Sequence, residues 1–374
     1  MNEDKASRYH RLKRQSAVLS VALTTLVLGG LLFSGASRVL ADAARSWVHA
    51  APGRFSPAAI AIYVVLLAAV QEATALPMTY YRGFFLEQRY GLSSETLGRW
   101  LRDHAKAAAL GVLLAAAGAQ VVYFLLVEIP GWWWLASAAV FAAAMFGIAK
   151  LLPLVLLPLF YKFTPLDRDS LRARLVSLSE RAGVPVLGIY EWGLGEKTRR
   201  ANAALVGTGS TRRIIVSDTL LAEYSDDEIE VILAHELAHH VHRDILSSLI
   251  AESALLLAAF AVAAAALGAA WQRIGLRAPS DVAGLPLLLL AGGAVSVAAT
   301  PAVNALSRWA ERRADRYALA LTNRPAAFIS AMKRLGSQNL ADERPSRAVL
   351  WLFHTHPPIE QRIEAARRFS PMEN

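Results

Sequence analysis

The 374-residue sequence contains no cysteine. That excludes thiolate metal sites, a disulfide framework and a cysteine nucleophile, so any bound metal must be held by His, Asp or Glu. Acidic residues are in deficit: 30 Asp and Glu stand against 39 Lys and Arg, a formal net charge of +9. Charge as a whole is scarce, at 18% of residues, while 55% are hydrophobic and mean hydropathy is +0.35. The length would allow two soluble domains, but such hydropathy argues against them. Two other chemistries lack their motifs. Ser210 does not stand in a G-x-S-x-G nucleophile elbow, and Gly193-Leu194-Gly195 lacks the third glycine of a phosphate loop.

What is present is a set of long apolar runs. Six are long enough to cross a bilayer as helices: about 16–37, 57–79, 107–128, 131–160, 246–271 and 283–305. The fourth is over-long, which predicts tilt or extension past the bilayer, with kinks at Pro153 and Pro158. The first run is too long for a cleavable signal peptide, and no A-x-A-like site with a soluble domain follows it. Lys5, Arg8, Arg11, Lys13 and Arg14 precede the first span, and Arg82, Arg89, Arg99, Arg102 and Lys106 follow the second. This bias places the N-terminus and that loop in the cytoplasm. The loops assigned outside are poorer: Glu128 to Gly131 has no Lys or Arg, and 272–282 has only Arg273 and Arg277. The 38–56 loop, with Arg38, Arg45 and Arg54, fits less well. The basic surplus is then a membrane-topology signature. No basic domain stands free of the spans, so a nucleic-acid partner is not expected.

The implied fold class is mainly α: a polytopic bundle of about six spans with a small α+β domain on the cytoplasmic side. Residues 1–160 form a four-span N-terminal region with a cytoplasmic loop at 80–106, and 161–374 form a second domain, interrupted by a two-span hairpin at about 246–305. That hairpin returns the chain to the side it left, so 161–245 and 306–374 share one face of the membrane.

Six of the nine histidines fall in two windows, 235–242 and 354–356. His235-Glu236-Leu237-Ala238-His239 is an H-E-x-x-H motif. On a helix, residues four apart share a face, so both imidazoles can meet one Zn²⁺. Glu236 lies beside the open coordination position, where it could deprotonate an ion-activated water. Ser225-Asp226-Asp227-Glu228 reads as the helix N-terminus, and Ile229, Val231, Ile232, Leu233 and Leu237 supply an apolar side. Two histidines do not complete a site. His242 is about 10 Å further along the axis and His240 points off the ligand face, so both read as bystanders. Glu311, with Asp315 one turn on, is the better candidate: one carboxylate to ligate and one to orient an imidazole. By itself this run would read as a solvated helix end; its position after the hairpin raises it above that.

Residues 186–191, 201–206 and 213–217 read as short strands that could form a small sheet beside the motif helix. An edge strand bearing Asn202 could pair with an extended peptide, although Asn202 alone reads as a turn residue. His356 could donate to a developing oxyanion, with Arg362 assisting or gripping the substrate backbone; His354 reads as a surface residue. Gln71, Glu72, Gln120, Lys150 and Glu252 lie within or near the apolar runs, where polar groups usually face a bundle interior or wet cavity.

Beyond its first span the chain resembles the type I CAAX prenyl endopeptidases, integral-membrane zinc metalloproteases. Tyr81 to Leu92 is similar to that family's N-terminal signature, Pro158 to Leu166 to the segment entering its catalytic domain, and Ser307 to Asp315 to its S-R-x-x-E-x-x-A-D pattern. His356-Pro357-Pro358 with Arg362 resembles its H-P-P-x-x-x-R element, and Asn202-Ala203 followed by Gly207 its substrate-binding edge strand. The signature at Tyr81 separates the chain from the shorter HtpX-type membrane proteases. The resemblance implies one Zn²⁺ on His235, His239 and Glu311, Asp315 behind them, Glu236 and His356 as catalytic groups, and Asn202, Ala203 and Arg362 on the substrate. It implies a peptide or protein substrate, one that can be lipidated at its C-terminus, and contact with membrane lipid. Departures are Ala238, where the family commonly has Gly, and six spans where eukaryotic members usually have seven. The Ala- and Arg-rich composition points to a bacterial plasma (inner) membrane. The alternatives are a membrane-protein quality-control protease of HtpX type or, in a different class, a polytopic transporter with a structural zinc.

Overall fold

The structure is a computed structural model and describes residues 5–50, 55–151, 155, 157–207, 209–341 and 345–370. Arg54 and the kink expected at Pro153 lie outside the described residues. Among the described residues, six helices are long and apolar enough to cross a membrane: α1 (Lys5–Phe33), α3 (Pro57–Tyr80, continuing to Arg89), α5 (Leu97–Glu128), α6 (Trp133–Leu151), α11 (Asp244–Ala270) and α12 (Leu285–Thr322). Each matches one of the expected apolar runs, with different ends. In the fourth, the described α6 runs to Leu151, and Leu157–Phe160 forms a further short helix, α7.

Several helices outrun their apolar segments, among them α1, which begins at Lys5. The α5 helix starts ten residues before the run at 107, where Thr96 Oγ1 accepts from the Arg99 N–H. The α12 helix continues well past 305 because Arg308, Glu311, Asp315, Ala318 and Leu319 maintain a buried face at helical spacing. This extension carries Glu311 out of the apolar zone on a rigid rod.

The 38–56 segment is not a plain loop. Ala36–Trp47 forms α2, with Ser37, Ala41 and Ala44 buried along one face. Ser37 Oγ contacts Tyr63 Oη at 2.7 Å and donates to the Ala283 carbonyl at 2.6 Å, which pins α2 to α3 and to the turn before α12. Arg45 pairs with Asp42 at 2.7 Å and Asp281 at 3.1 Å, and Arg277 grips Asp42. Arg45 and Arg277 thus both have acidic partners.

The remaining elements follow the α6–α7 turn: β1 (Phe163–Pro165), α8 (Asp169–Arg181), β2 (Gly188–Trp192), β3 (Ala203–Val206), β4 (Arg213–Ser217), α9 (Asp218–Glu223) and α10 (Asp226–Val241). After α12 come α13 (Pro325–Gln338), α14 (Arg347–Phe353) and α15 (Ile359–Arg367). A short α4 (Leu86–Arg89) follows a π-helical turn at Tyr81–Phe85. The sheet order is β1-β2-β4-β3, so β3 is an edge. It pairs antiparallel with β4, Ala204 opposite Ile215, and its outer side is unpaired among the described residues. One apolar core joins α8, β4, α10, α12 and α13 through Leu171, Leu175, Ile214, Leu233, Ala318 and Phe328. A second joins the membrane helices through residues such as Tyr63, Tyr123, Trp133 and Leu267.

Candidate active site

The site begins with the capping of α10. Ser225 Oγ accepts from the Glu228 N–H, and Glu228 Oε2 accepts from the Ser225 N–H at 2.8 Å, a reciprocal capping box. The other Glu228 oxygen accepts from Ser330 Oγ at 2.6 Å, fastening α10 to α13. Ile229, Leu233 and Leu237 are fully buried, which fixes the helix rotation that turns His235 and His239 toward α12.

Glu311 approaches both rings. Its Oε2 lies 3.2 Å from His235 Nε2 and its Oε1 3.5 Å from His239 Nε2, while the two imidazole Nε2 atoms are 3.3 Å apart. A tetrahedral ion with ligand distances of about 2.0–2.1 Å would separate its donors by about 3.3–3.4 Å. The three observed separations match that span. The outer ring nitrogens are both engaged: His235 Nδ1 with Asp315 Oδ1 at 3.0 Å and His239 Nδ1 with Asp244 Oδ2 at 2.8 Å. A carboxylate at Nδ1 holds the proton there and leaves the Nε2 lone pair toward the centre. Glu311 Oε2 is buried and receives no hydrogen bond among the described residues. Three converging lone-pair donors and an unsatisfied carboxylate oxygen fit a divalent cation.

The electrostatics agree. Burial pulls the His235 imidazole down, but the Asp315 and Glu311 carboxylates outweigh it and raise it to about 9. His239 is raised in the same way, by Glu311 and Asp244 against burial. Both rings therefore favour a cation beside them, whether a proton or a metal ion that displaces it. Burial raises the Glu236 carboxyl, the direction that suits a group taking a proton near neutral pH.

Glu236 opens onto a cavity of about 640 Å³ that also meets Asn202, Ala203, His356 and Arg362. His356 Nε2 is 3.3 Å from Glu311 Oε1, and its side chain is 61% exposed. The Arg362 guanidinium sits deeper: Nε donates to Asp315 Oδ2 at 2.8 Å and Nη2 to Asp315 Oδ1 at 2.6 Å, with Nη2 3.4 Å from His235 Nδ1. Arg362 therefore grips Asp315 as well as facing the cavity. Asn202 stands immediately before β3, its N–H donating to Ser217 Oγ and its carbonyl accepting from the Ser217 N–H, each at 2.9 Å. The structure thus brings together every residue expected at the site, from several separate stretches of chain.

Sequence reasoning misses Asp244. Arg243 takes a left-handed conformation (φ 57°), ends α10 and starts α11, and so turns Asp244 back onto His239. Arg313 in turn pairs with Asp244. The available signal was an acidic residue just past the helix that bears the metal histidines. His240 has a structural role, since its Nε2 meets the Leu205 carbonyl at 3.0 Å and ties α10 to the edge strand β3. His242 caps α10 and packs edge-on against Tyr317.

Comparison with known proteins defines the class. Residues 165–370 match the model of peptidase family M48, and residues 2–162 match the CAAX prenyl protease N-terminal model, described as five membrane helices. The chain belongs to peptidase family M48: it is a membrane-embedded, multi-span metalloendopeptidase. It is 28% identical over 372 residues to the Bacillus subtilis metalloprotease YhfN, covering 97% of this chain and 85% of that protein. It is 30% identical over 192 residues to CAAX prenyl protease 1 of Saccharomyces cerevisiae, covering 50% of this chain and 42% of that protein. A Protease HtpX homolog of Methanopyrus kandleri is 31% identical over 236 residues, 56% of this chain and 71% of that protein. The crystal structure of S. mikatae Ste24p shares the fold, with a TM-score of 0.84 at 22% identity, over 97% of this chain and 88% of that one.

Proposed function

We propose that the metal is zinc, one ion per chain, held by His235, His239 and Glu311. The matched donor separations of 3.2–3.5 Å carry this reading. When bound, the ion supplies Lewis acidity to water and to the scissile carbonyl. Glu236 takes the proton of the attacking water and returns it to the leaving amine. His356 donates to the developing oxyanion from its exposed position over the cavity. Asp315 and Asp244 hold the two imidazoles in one tautomer, and Arg362 holds Asp315. The substrate lies extended along the unpaired side of β3, aligned by Asn202 and Ala203. Its C-terminus is lipidated, in keeping with the prenyl-protease names of several relatives.

The test is cleavage of farnesylated and unmodified peptides by the detergent-solubilised protein, read by mass spectrometry beside Glu236→Gln. The variant should retain its metal and lose cleavage by about 10²- to 10⁴-fold. Wild-type turnover in it would remove Glu236 from the reaction. Equal cleavage of the two peptides would remove the lipid from recognition.

The N-terminus and both catalytic segments face the cytoplasm of a bacterial inner membrane in this reading. Introduced cysteines report on sidedness cleanly, since the native chain has none. Positions 170 and 340 should resist a membrane-impermeant thiol reagent in intact cells and 278 should react. Labelling of 170 from outside would reverse the orientation.

A further inference from the structure

The segment Tyr81 to Leu92 has no part in the chemistry above, yet it makes a dense set of contacts with the catalytic domain. We propose that Glu87 is a positioning residue for substrate: it ties the first membrane helix to the strand edge along which the peptide lies. This rests on the reading of β3 as the substrate edge.

Glu87 is largely buried, with a side chain 15% exposed. Its Oε1 accepts from Tyr9 Oη at 2.6 Å and from Lys13 Nζ at 3.0 Å, both on α1. Its Oε2 accepts from Arg200 Nη2 at 2.8 Å, and the same nitrogen reaches Tyr9 Oη at 2.8 Å. Tyr9 is 1% exposed and packs with Leu86, Tyr90 and Leu92 in a small core of its own. One carboxylate thus gathers two cations and a phenol from segments far apart in the chain.

Arg200 is two residues before Asn202, and both line the cavity that holds Glu236. The intervening backbone is held at both ends. Thr219 Oγ1 donates to the Arg200 carbonyl at 2.8 Å, and Ser217 Oγ accepts from the Asn202 N–H. The residues after Glu87 strap the preceding turn. The Leu92 carbonyl accepts from the Arg199 N–H at 3.1 Å and from Thr198 Oγ1 at 2.9 Å, and Ser93 Oγ donates to the Lys197 carbonyl at 2.9 Å. The path from Glu87 to the start of β3 is therefore continuous and hydrogen-bonded, and none of it touches the metal ligands. Loss of the carboxylate leaves Lys13 and Arg200 side by side without a counter-charge, which pushes Arg200 and the entry to β3 out of line. Binding of an extended backbone suffers; the geometry at Glu236 and the metal does not.

The experiment is steady-state kinetics of the full-length solubilised protein, with a peptide substrate and its analogue N-methylated at the backbone positions around the scissile bond. Wild type should show a higher KM for the analogue, since methylation removes strand pairing. Glu87→Gln should raise KM for the parent peptide about tenfold, keep kcat within about threefold and keep its metal. Its penalty for N-methylation should shrink, because the misplaced edge no longer pairs; this coupling is what a merely structural role would not produce. Glu87→Asp keeps the charge but cannot span both partners, and should give an intermediate KM. It carries the test alone if the Gln variant does not fold. Wild-type KM in the variants, or a fall in kcat equal to the fall in kcat/KM, overturns the role of Glu87. If N-methylation has no effect on the wild-type enzyme, the strand-edge reading fails first and is recognised separately.

Discussion

The α11–α12 hairpin carries an ionic cluster at each end, and the two are built to opposite rules. At the far end Asp42 and Asp281 meet, among the described residues, Arg45 and Arg277: two carboxylates, two guanidiniums, no net charge. At the near end Glu236, Glu311, Asp315 and Asp244 meet, among the described residues, the guanidiniums of Arg362 and Arg313. Four carboxylates against two guanidiniums leaves a surplus of two negative charges beside three imidazoles, because His356 also meets Glu311. Two protons on the imidazoles or one divalent ion would balance it. A closed cluster neutralises itself and holds a turn in place; an open one takes its balancing cation, protons or a metal ion, from outside. The distinction separates a cluster that needs no outside cation from one that does.

The largest effect that could break this contrast is at the third ligand. Glu311→Gln removes a donor and one unit of the surplus together. Metal content after gel filtration should fall sharply, with affinity reduced beyond the ~10–100-fold that loss of an orienting carboxylate costs. Chelation should lower the thermal midpoint of the wild type and leave that of the variant little changed, because only the wild type holds a stabilising ion. Full metal occupancy in the variant would mean that the surplus charge does not define the site.

How far each cluster can be read from sequence follows from spacing. His235, Glu236 and His239 are one helical turn, and Glu311 and Asp315 are another, so period alone sets each group on a face. The six apolar runs are legible because hydropathy, too, is a local property. What is not legible is local order broken by a single backbone choice. Asp244 reaches His239 only because Arg243 turns left-handed, and no periodicity announces that. The grip of Arg362 on Asp315 spans 47 residues and two helices, and depends on how α15 docks against α12. The α2 helix reads as a loop in sequence although Ser37, Ala41 and Ala44 have the spacing of a buried face, because small residues give a weak apolar signal.

Asp244 offers the sharper, smaller test. The structure alone reveals it, and its role is confined to His239. Asp244→Asn keeps the shape but can present an N–H to Nδ1, which favours the wrong tautomer. Metal affinity should fall about 10- to 100-fold, measured by competition with a chromogenic chelator. Asp315→Asn should behave alike through His235. Unchanged affinity in the Asp244 variant would reduce that carboxylate to a partner for Arg313 and detach both from the near-end cluster.

The smallest effect belongs to the far end. Arg277 chiefly, with Arg45, holds the Asp42 carboxyl down to about 2, below its ordinary 3.8. A depressed carboxyl contributes stability that is complete above its unfolded value and is lost as pH falls through its folded one. The window therefore runs from 3.8 down to about 2. Asp42 is 47% exposed, so solvent screening keeps the contribution to about 1 kcal/mol or less. Asp42→Asn should flatten the acid limb of a thermal-midpoint profile over that window. At neutral pH it should leave metal content and peptide cleavage at wild-type levels. Metal loss in this variant would show that the two ends communicate along the hairpin, and the contrast between a closed and an open cluster would then describe one network rather than two.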